Sequence, residues 1–199
     1  MCEALGAVGG GDARLLGVGG ATLERSRAAN LAVLGAPTLP AWQRYTGVVW
    51  DHFDVGSLAA PDRRRAVESV VVVSALAGLS ALDDPLPDHR LKLSVSLDGL
   101  GALARWWRPR LSAVLDRHLR GRTVIDLLPN EHAAAWEPSG RGYEHLRVRF
   151  VGRDGRVAGH TAKAAKGLLA RALVGAGDPR RTVERWEHPD LSVEIVASG

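Results

Sequence analysis

Four consecutive valines, Val70–Val73, constrain the fold more than any other stretch of the sequence. A continuous β-branched run is typical of a strand that is buried on both faces, so the chain must supply a sheet with covered sides. The run is far shorter than the roughly 20 apolar residues that cross a bilayer, and we expect no membrane partner. Further strands are predicted at Tyr45–Trp50, Leu91–Ser96, Thr123–Leu127, Leu146–Val151, Arg156–Gly159 and Leu191–Val196, with a hairpin turn at Asp154-Gly155.

Between these runs, apolar residues recur at helical spacing and Gly or Pro marks the ends of the helices. Gly35–Pro40 is a linker that no helix can cross intact, and Leu79–Pro87 is expected to be a loop. After a short helix from Ala13, helices are predicted at Ala21–Leu34, Ser57–Val67, Leu100–His118, Ala133–Trp136, Lys163–Val174 and Thr182–Trp186. The irregular alternation predicts a mixed α/β (α+β) fold in which helices flank a mixed β-sheet, within one domain over residues 1–199.

Arginine supplies almost all of the positive charge. The chain has 26 basic residues and a net charge of +4, but its only lysines are Lys92, Lys163 and Lys166. A GC-rich genome accounts for an arginine excess. The three positions that remain lysine are therefore candidates for a specific role. Cys2 is the single cysteine, which excludes an internal disulfide and a cysteine-based metal cage. Since the N-terminus also lacks the pattern of a secretory signal, we expect a cytoplasmic protein with no metal and no cofactor.

A Gly turn near the N-terminus is the first candidate site. The apolar-Gly-apolar-Gly order around Gly17 and Gly19 matches the turn of a helix-hairpin-helix element, here within residues 13–34. Glycine at these positions lets the backbone approach a nucleic-acid phosphate, and the N–H groups at the next helix start donate to it. Arg25 and Arg27 would add positive charge. The alternative is a turn without a ligand, because a Gly-rich loop before a helix is common.

The segment from His160 to Arg171 is the second candidate site, and it carries two of the lysines. In a helix that begins near Ala162, Lys163 and Lys166 are three residues apart and share a face. Cations normally avoid the positive N-terminal end of a helix, so their presence there would attract an anion such as phosphate or carboxylate. The alternative is a solvated basic face.

Polar residues at strand ends supply the remaining candidates. Glu131 and His132 follow a predicted strand and are suited to acid/base work or metal binding. Such a pair is not a metal signature, and structural hydrogen bonding is the alternative. Arg90 and Lys92 lie two residues apart in a predicted strand and therefore point to the same face. Tyr45 opens an earlier predicted strand.

Taken in order, these segments resemble the peroxide-stress YaaA family over about two thirds of the chain, and several blocks in register are more specific than any one of them. The block around Lys163 and Lys166 resembles the family's Ala-Lys-x-x-Arg-Gly-x-x-Ala-Arg pattern, and His89 stands where the family has Tyr. The matching blocks are Arg44–Trp50 with Phe53-Asp54, Val71–Leu79, Pro87–Lys92, Trp107–Pro109, Asn130–His132 and Lys163–Arg171.

The resemblance implies a mixed α/β fold with a helix-hairpin-helix element, a positively charged cleft and binding to duplex DNA. It also implies a role in limiting oxidative damage by peroxide that is linked to control of intracellular iron. Family members begin with a strand and a Lys-containing turn well before the hairpin, whereas Met1 here lies close to it. We therefore expect a truncated chain, a misassigned start or a lost strand, which would remove a family lysine from the cleft.

The sequence leaves two principal functions open, and we prefer the first. In the first, the chain binds duplex DNA non-specifically through Gly17, Gly19, Arg25, Arg27, Tyr45, Arg90, Lys92, Lys163, Lys166 and Arg171. In the second, it is an enzyme that acts on a phosphate- or carboxylate-bearing small molecule or nucleotide in the same cleft, with catalytic candidates Lys163, Lys166, Glu131 and His160. A third alternative is a dimerising stress protein whose basic residues are only solvated. The sequence leaves the oligomeric state open.

Overall fold

The computed structural model describes residues 1–159 and 161–197. Numbered along the chain, the α-helices are α1 Cys2–Ala7, α2 Ala13–Leu16, α3 Gly20–Ala32, α4 Ala41–Arg44, α5 Val48–Phe53, α6 Ala60–Ser69, α7 Leu103–His118, α8 Asn130–Ala133, α9 Ala162–Val174 and α10 Pro179–Glu184. The strands are β1 Thr38–Pro40, β2 Val72–Ser74, β3 Gly78–Ser80, β4 Pro85–Pro87, β5 Ser96–Leu97, β6 Gly101–Ala102, β7 Thr123–Asp126, β8 Glu144–Gly152 and β9 Leu191–Ala197. This content confirms the predicted mixed α/β class.

The chain divides into two compact units, each assembled from separated segments. The first unit comprises Met1–Arg44, Val71–Val114 and Leu128–Glu137. The second comprises Tyr45–Val70, Leu115–Leu127 and the described residues from Pro138 onward. The single domain expected over residues 1–199 stays a prediction.

In the first unit, the N-terminal helices are held together by a glycine-rich loop. A Cβ at Gly10 would lie 3.0 Å from the Cα of Arg27 on α3, so only glycine permits this approach. The buried Asn30 side chain then donates from Nδ2 to the carbonyls of Gly10 (2.8 Å) and Arg90 (3.0 Å). Its Oδ1 accepts from the Arg90 N–H at 2.8 Å, which anchors the Arg90 segment to α3.

The strands of the first unit form small two-stranded antiparallel sheets. Only Val72 and Val73 of the four valines enter β2, and Val72 stays partly exposed, so the strand is shorter and less covered than predicted; it pairs with β3 in the register Val72↔Ser80. Gly78, in the left-handed region with φ +76°, lies under the ring of Trp107 on α7. The Trp107 indole N–H donates to the Ala75 carbonyl at 2.9 Å, which ties α7 to the β2–β3 turn. The other pairs are β1 with β4 and β5 with β6.

The second unit is built on a three-stranded mixed sheet in the order β7-β8-β9. Strands β7 and β8 are parallel, and β8 and β9 are antiparallel. Helix α9 packs on one face of this sheet, where Val148, Phe150, Ala165 and Leu169 form a buried cluster with Val183 of α10. Burying side chains of this kind stabilises the fold by about 1.5–3 kcal/mol each.

Helix α9 and the final strand β9 confirm the sequence prediction closely, whereas two predicted strands are wrong. Tyr45–Trp50 does not form a strand, because Val48–Phe53 is a helix packed along α9, and this contact outweighs the β propensity of its valines. Leu91–Ser96 also forms no strand except for Ser96 in β5. Burial does alternate along that segment, with Leu93 buried, but no strand in the described part of the chain supplies a hydrogen-bond ladder to Leu91–Val95.

Smaller corrections follow the same tertiary contacts. Leu79–Pro87, expected as a loop, contains part of β3 and all of β4, because Pro85–Pro87 pairs with β1. The second arm of the predicted Asp154-Gly155 hairpin is reduced to a single bridge between Val151 and Val157. The short helix expected at Ala133–Trp136 lies instead at Asn130–Ala133 and shares only Ala133 with the prediction. Helix α7 continues through Pro109. Among the described residues, no helix combines the length and apolar character needed to span a bilayer.

Candidate functional site

Two cationic side chains lie at the Gly17 turn of the first unit. Gly17 ends α2 in the left-handed region with φ +65°, and a Cβ there would collide with the Lys92 ammonium. The Arg90 guanidinium is held beside the same turn, since its Nε donates to the Leu16 carbonyl at 3.2 Å. Both side chains belong to exposed residues, and within the described part of the chain neither forms an ion pair. The turn therefore brings together three of the predicted residues, Gly17, Arg90 and Lys92.

The start of α3, immediately after this turn, presents its backbone to solvent. Gly19 precedes the helix without a side-chain cap, and Gly20 enters it with φ +55°. Gly19, Gly20 and Ala21 are all exposed. The first N–H groups of a helix lack intrahelical acceptors, so this end is an electropositive backbone surface.

The two arginines of α3 differ in their surroundings. Arg25 is exposed, and its Nη2 donates to Thr22 Oγ1 at 3.4 Å. Arg27 points to the glycine-rich loop, where its Nε donates to the Gly9 carbonyl at 3.2 Å, and it also pairs with Glu24 at 3.6 Å. Arg27 therefore has a structural role within the N-terminal helices.

On α9 in the second unit, the two predicted lysines occupy different environments. Lys163 is exposed, whereas Lys166 is half-buried and its Nζ donates to the Leu127 carbonyl, just beyond β7, at 2.8 Å. Burial lowers the pKa of the Lys166 ammonium below its usual value, Arg147 lowers it further, and Asp126 opposes the shift. The folded protein therefore holds the Lys166 proton less tightly than the unfolded chain does.

A buried acid–base pair lies at the end of β7. Asp126 Oδ2 and His145 Nε2 are 3.2 Å apart, and both side chains are 3% exposed. The parallel register Val124↔His145 and Asp126↔Arg147 places Asp126, His145 and Arg147 on one face of the sheet. Sequence reasoning did not identify Asp126 or His145 as site residues. The one local signal was a carboxylate at the end of an apolar strand.

Gly167 and Arg171, the end of the same motif, fix α9 against α5. A Cβ at Gly167 would collide with the Val49 carbonyl and lie 2.7 Å from His52 Cβ. Arg171 Nη1 donates to the carbonyls of Phe53 (3.0 Å) and Asp54 (2.8 Å), so it caps the end of α5. Gly167 and Arg171 therefore position α9, and the Arg171 guanidinium is bound to backbone carbonyls at the end of α5.

The remaining candidates are distributed over both units. Tyr45 stacks on Trp50 with ring centroids 4.9 Å apart in the second unit. Glu131 lies on α8 in the first unit, with its carboxylate 3.8 Å from His132 Nδ1. Lys166 belongs to the second unit. His160 lies outside the described residues. A single cleft that unites these groups stays a prediction.

No group of three or more His, Cys, Asp or Glu side chains in the described ranges is arranged to hold a metal ion.

The mixed α/β architecture and the arginine-dominated charge define the class, a basic α/β protein. The family described as "Peroxide stress protein YaaA" matches residues 13–180, and the chain belongs to this family. The chain is 37% identical to a UPF0246 protein of Streptomyces coelicolor over 85% of this chain and 67% of the relative. It is 33% identical to a UPF0246 protein of Corynebacterium glutamicum, over 78% of this chain and 62% of the relative.

A protein of Campylobacter jejuni is 28% identical over 67% of this chain and 52% of its own length. The chain therefore spans between about half and about two thirds of the length of the curated relatives it matches. Membership in the family associates the chain with the response to peroxide stress.

Proposed function

We propose that the chain acts in the peroxide-stress response by binding duplex DNA non-specifically at the Gly17–Gly19 turn of the first unit. The observation that carries the proposal is the position of the Lys92 ammonium against Gly17, with the Arg90 guanidinium anchored at Leu16 on the same turn. A glycine-lined backbone and two unpaired cations form a surface that complements a phosphate.

The physical basis is electrostatic. Phosphate oxygens accept hydrogen bonds from backbone N–H groups at the start of α3, while Lys92 and Arg90 neutralise the charge and release counterions from the duplex. Such contacts go to the DNA backbone and carry no base readout, so the binding is independent of sequence. Arg25, one and a half turns into α3, lies within the same helix and adds a further exposed cation.

Substitution of Lys92 by Gln tests the proposal. Loss of one phosphate contact is expected to weaken duplex binding about fivefold at 0.15 M salt, since each contact contributes about 0.9 to the salt slope. Fluorescence anisotropy with a labelled duplex measures the affinity.

The matched control is Arg64→Gln, which removes the same charge from an exposed position on α6 of the second unit. Equal affinities for K92Q and the unsubstituted protein, or an equal loss for K92Q and R64Q, would show that the turn is not the contact.

A second candidate function is an enzyme that acts on a phosphate- or carboxylate-bearing small molecule, and the environment of Lys166 favours it. A half-buried amine with a lowered pKa is suited to act as a base or nucleophile. Lys163, on the same helix, is its other candidate residue in the part of the chain that the structure describes. Acetic anhydride at pH 7 acylates lysine amines, and peptide mass spectrometry measures the rate at Lys166 and at Lys163. After each rate is corrected for the solvent accessibility of its amine, Lys166 should react faster than Lys163. A corrected rate for Lys166 at or below that of Lys163 would remove this support.

A further inference from the structure

A groove of about 440 Å³ lies on the surface of the second unit, along α10 and the segment that follows it. Its lining residues are Asp178, Arg181, Thr182, Arg185, Trp186 and Glu187. The volume falls in the range of small-molecule sites, although the lining is more polar than in most of them. Residues 181–187 follow the part of the chain that matches the family, which ends at residue 180.

The arginines of this region divide into one that is paired and two that are free. Arg180 contacts both Glu144 at 2.8 Å and Glu184 at 3.2 Å, outside the groove. Arg181 and Arg185 line the groove, are exposed, and have no side-chain partner among the described residues. They are four residues apart, so their guanidinium groups are available to one bound anion.

Trp186 provides a planar apolar surface beside these cations, and its position is fixed from two sides. Its ring packs edge-on with Phe150 of the core, with centroids 5.8 Å apart. It also stacks with His188 at 5.5 Å and an interplanar angle of 24°. Trp186 is half-buried, so only the part of the indole that His188 does not cover offers a stacking surface for an aromatic ring, at little entropic cost.

The groove also contains two carboxylates. Asp178 accepts from the Arg181 N–H through Oδ1 at 3.0 Å, and the Glu187 side chain is exposed. Carboxylate oxygens accept hydrogen bonds from the hydroxyl groups of a sugar. A simple anion is attracted by the arginines but repelled by the carboxylates. A ligand that carries hydroxyls as well as a phosphate can place its phosphate against the arginines and its hydroxyls against the carboxylates.

We propose that this groove binds a mononucleotide. Arg181 and Arg185 contact the phosphate, Trp186 stacks with the base, and the carboxylates of Asp178 and Glu187 accept from the ribose hydroxyls. The site is separate from the Gly17 turn and does not depend on the DNA-binding proposal.

Isothermal titration calorimetry with AMP tests the proposal, with adenosine and inorganic phosphate as separate probes. AMP should bind at one site, and adenosine and phosphate should each bind at least about tenfold more weakly, because each lacks one half of the contacts. Arg181→Gln and Arg185→Gln should each weaken AMP binding about tenfold. Arg180→Gln, which removes the same charge from the same helix outside the groove, should change it less than about twofold.

Several results would overturn the inference. These are no AMP binding at millimolar concentration, equal losses for R180Q and the two groove variants, or adenosine or phosphate binding as tightly as AMP. Circular dichroism checks that the variants are folded. NMR supplies a second readout. The indole N–H resonance that disappears from the spectrum of Trp186→Phe is assigned to Trp186 in the unsubstituted protein. That resonance should shift on addition of AMP, and an unchanged resonance would contradict base stacking.

Discussion

At the scale of single residues, the motif on α9 combines positions with different physical roles. Gly167 lets α9 approach α5, Arg171 caps α5, and Lys166 directs a half-buried amine to the end of β7. The sequence pattern alone suggested a uniform basic site. Which positions face a neighbour and which face solvent depends on the packing of α9 against α5, and no local signal shows it.

Gly167→Ala should destabilise the protein by about 1–3 kcal/mol, because the added methyl group has no space against the backbone of α5. Urea denaturation measures the change in the free energy of unfolding. The control is Gly175→Ala at the end of the same helix, where a Cβ would meet its nearest atom at 4.0 Å and the effect should be small. Equal effects of the two substitutions would contradict the close contact.

Lys166→Met tests the environment of the half-buried amine. The lowered pKa means that the folded state holds this proton less tightly than the unfolded state. The unsubstituted protein should therefore gain stability relative to K166M as the pH rises from the lowered pKa towards 10.5, and the difference should be constant at lower pH. Urea denaturation of both proteins across that range measures it. A difference that does not change with pH would contradict the shift.

At the scale of elements, the sequence predicts those that are defined by their own pattern and fails for those defined by a partner. Helix α9 and strand β9 have clear periodicities and were predicted almost to the residue. Helix α5 was predicted as a strand, because its valines favour β structure and only the contact with α9 makes it helical. The sequence did not reveal the Asp126–His145 pair, because its two residues lie 19 positions apart and meet only when β7 and β8 pair in parallel.

Asn30 holds the elements that form the Gly17 turn. Asn30→Ala would remove three hydrogen bonds and leave the buried Gly10 carbonyl and the part-buried Arg90 backbone groups without these partners. We expect a loss of about 2–4 kcal/mol in the free energy of unfolding and weaker anchoring of Arg90. Urea denaturation measures the loss, and Gln43→Ala, at an exposed amide, is the control. A loss no greater than that of Q43A would contradict this role.

At the scale of the whole molecule, the positive charge is divided among separate sets of residues. One set lies at the Gly17 turn in the first unit, and another lies on α9 in the second unit. Many other arginines are paired or bound to carbonyl groups, as Arg180 and Arg27 are. The net charge of +4 therefore indicates an anionic partner less directly than the positions of individual cations do.

The most direct test of the central proposal is the salt dependence of duplex binding by the unsubstituted protein. Fluorescence anisotropy with a labelled duplex of about 25 base pairs, from 0.05 to about 0.5 M NaCl, gives the slope of log K against log salt. Contacts from Lys92 and Arg90 predict a slope of about −2 or steeper, the same for duplexes of unrelated sequence. A slope near zero, or no measurable binding at low salt, would contradict the proposal.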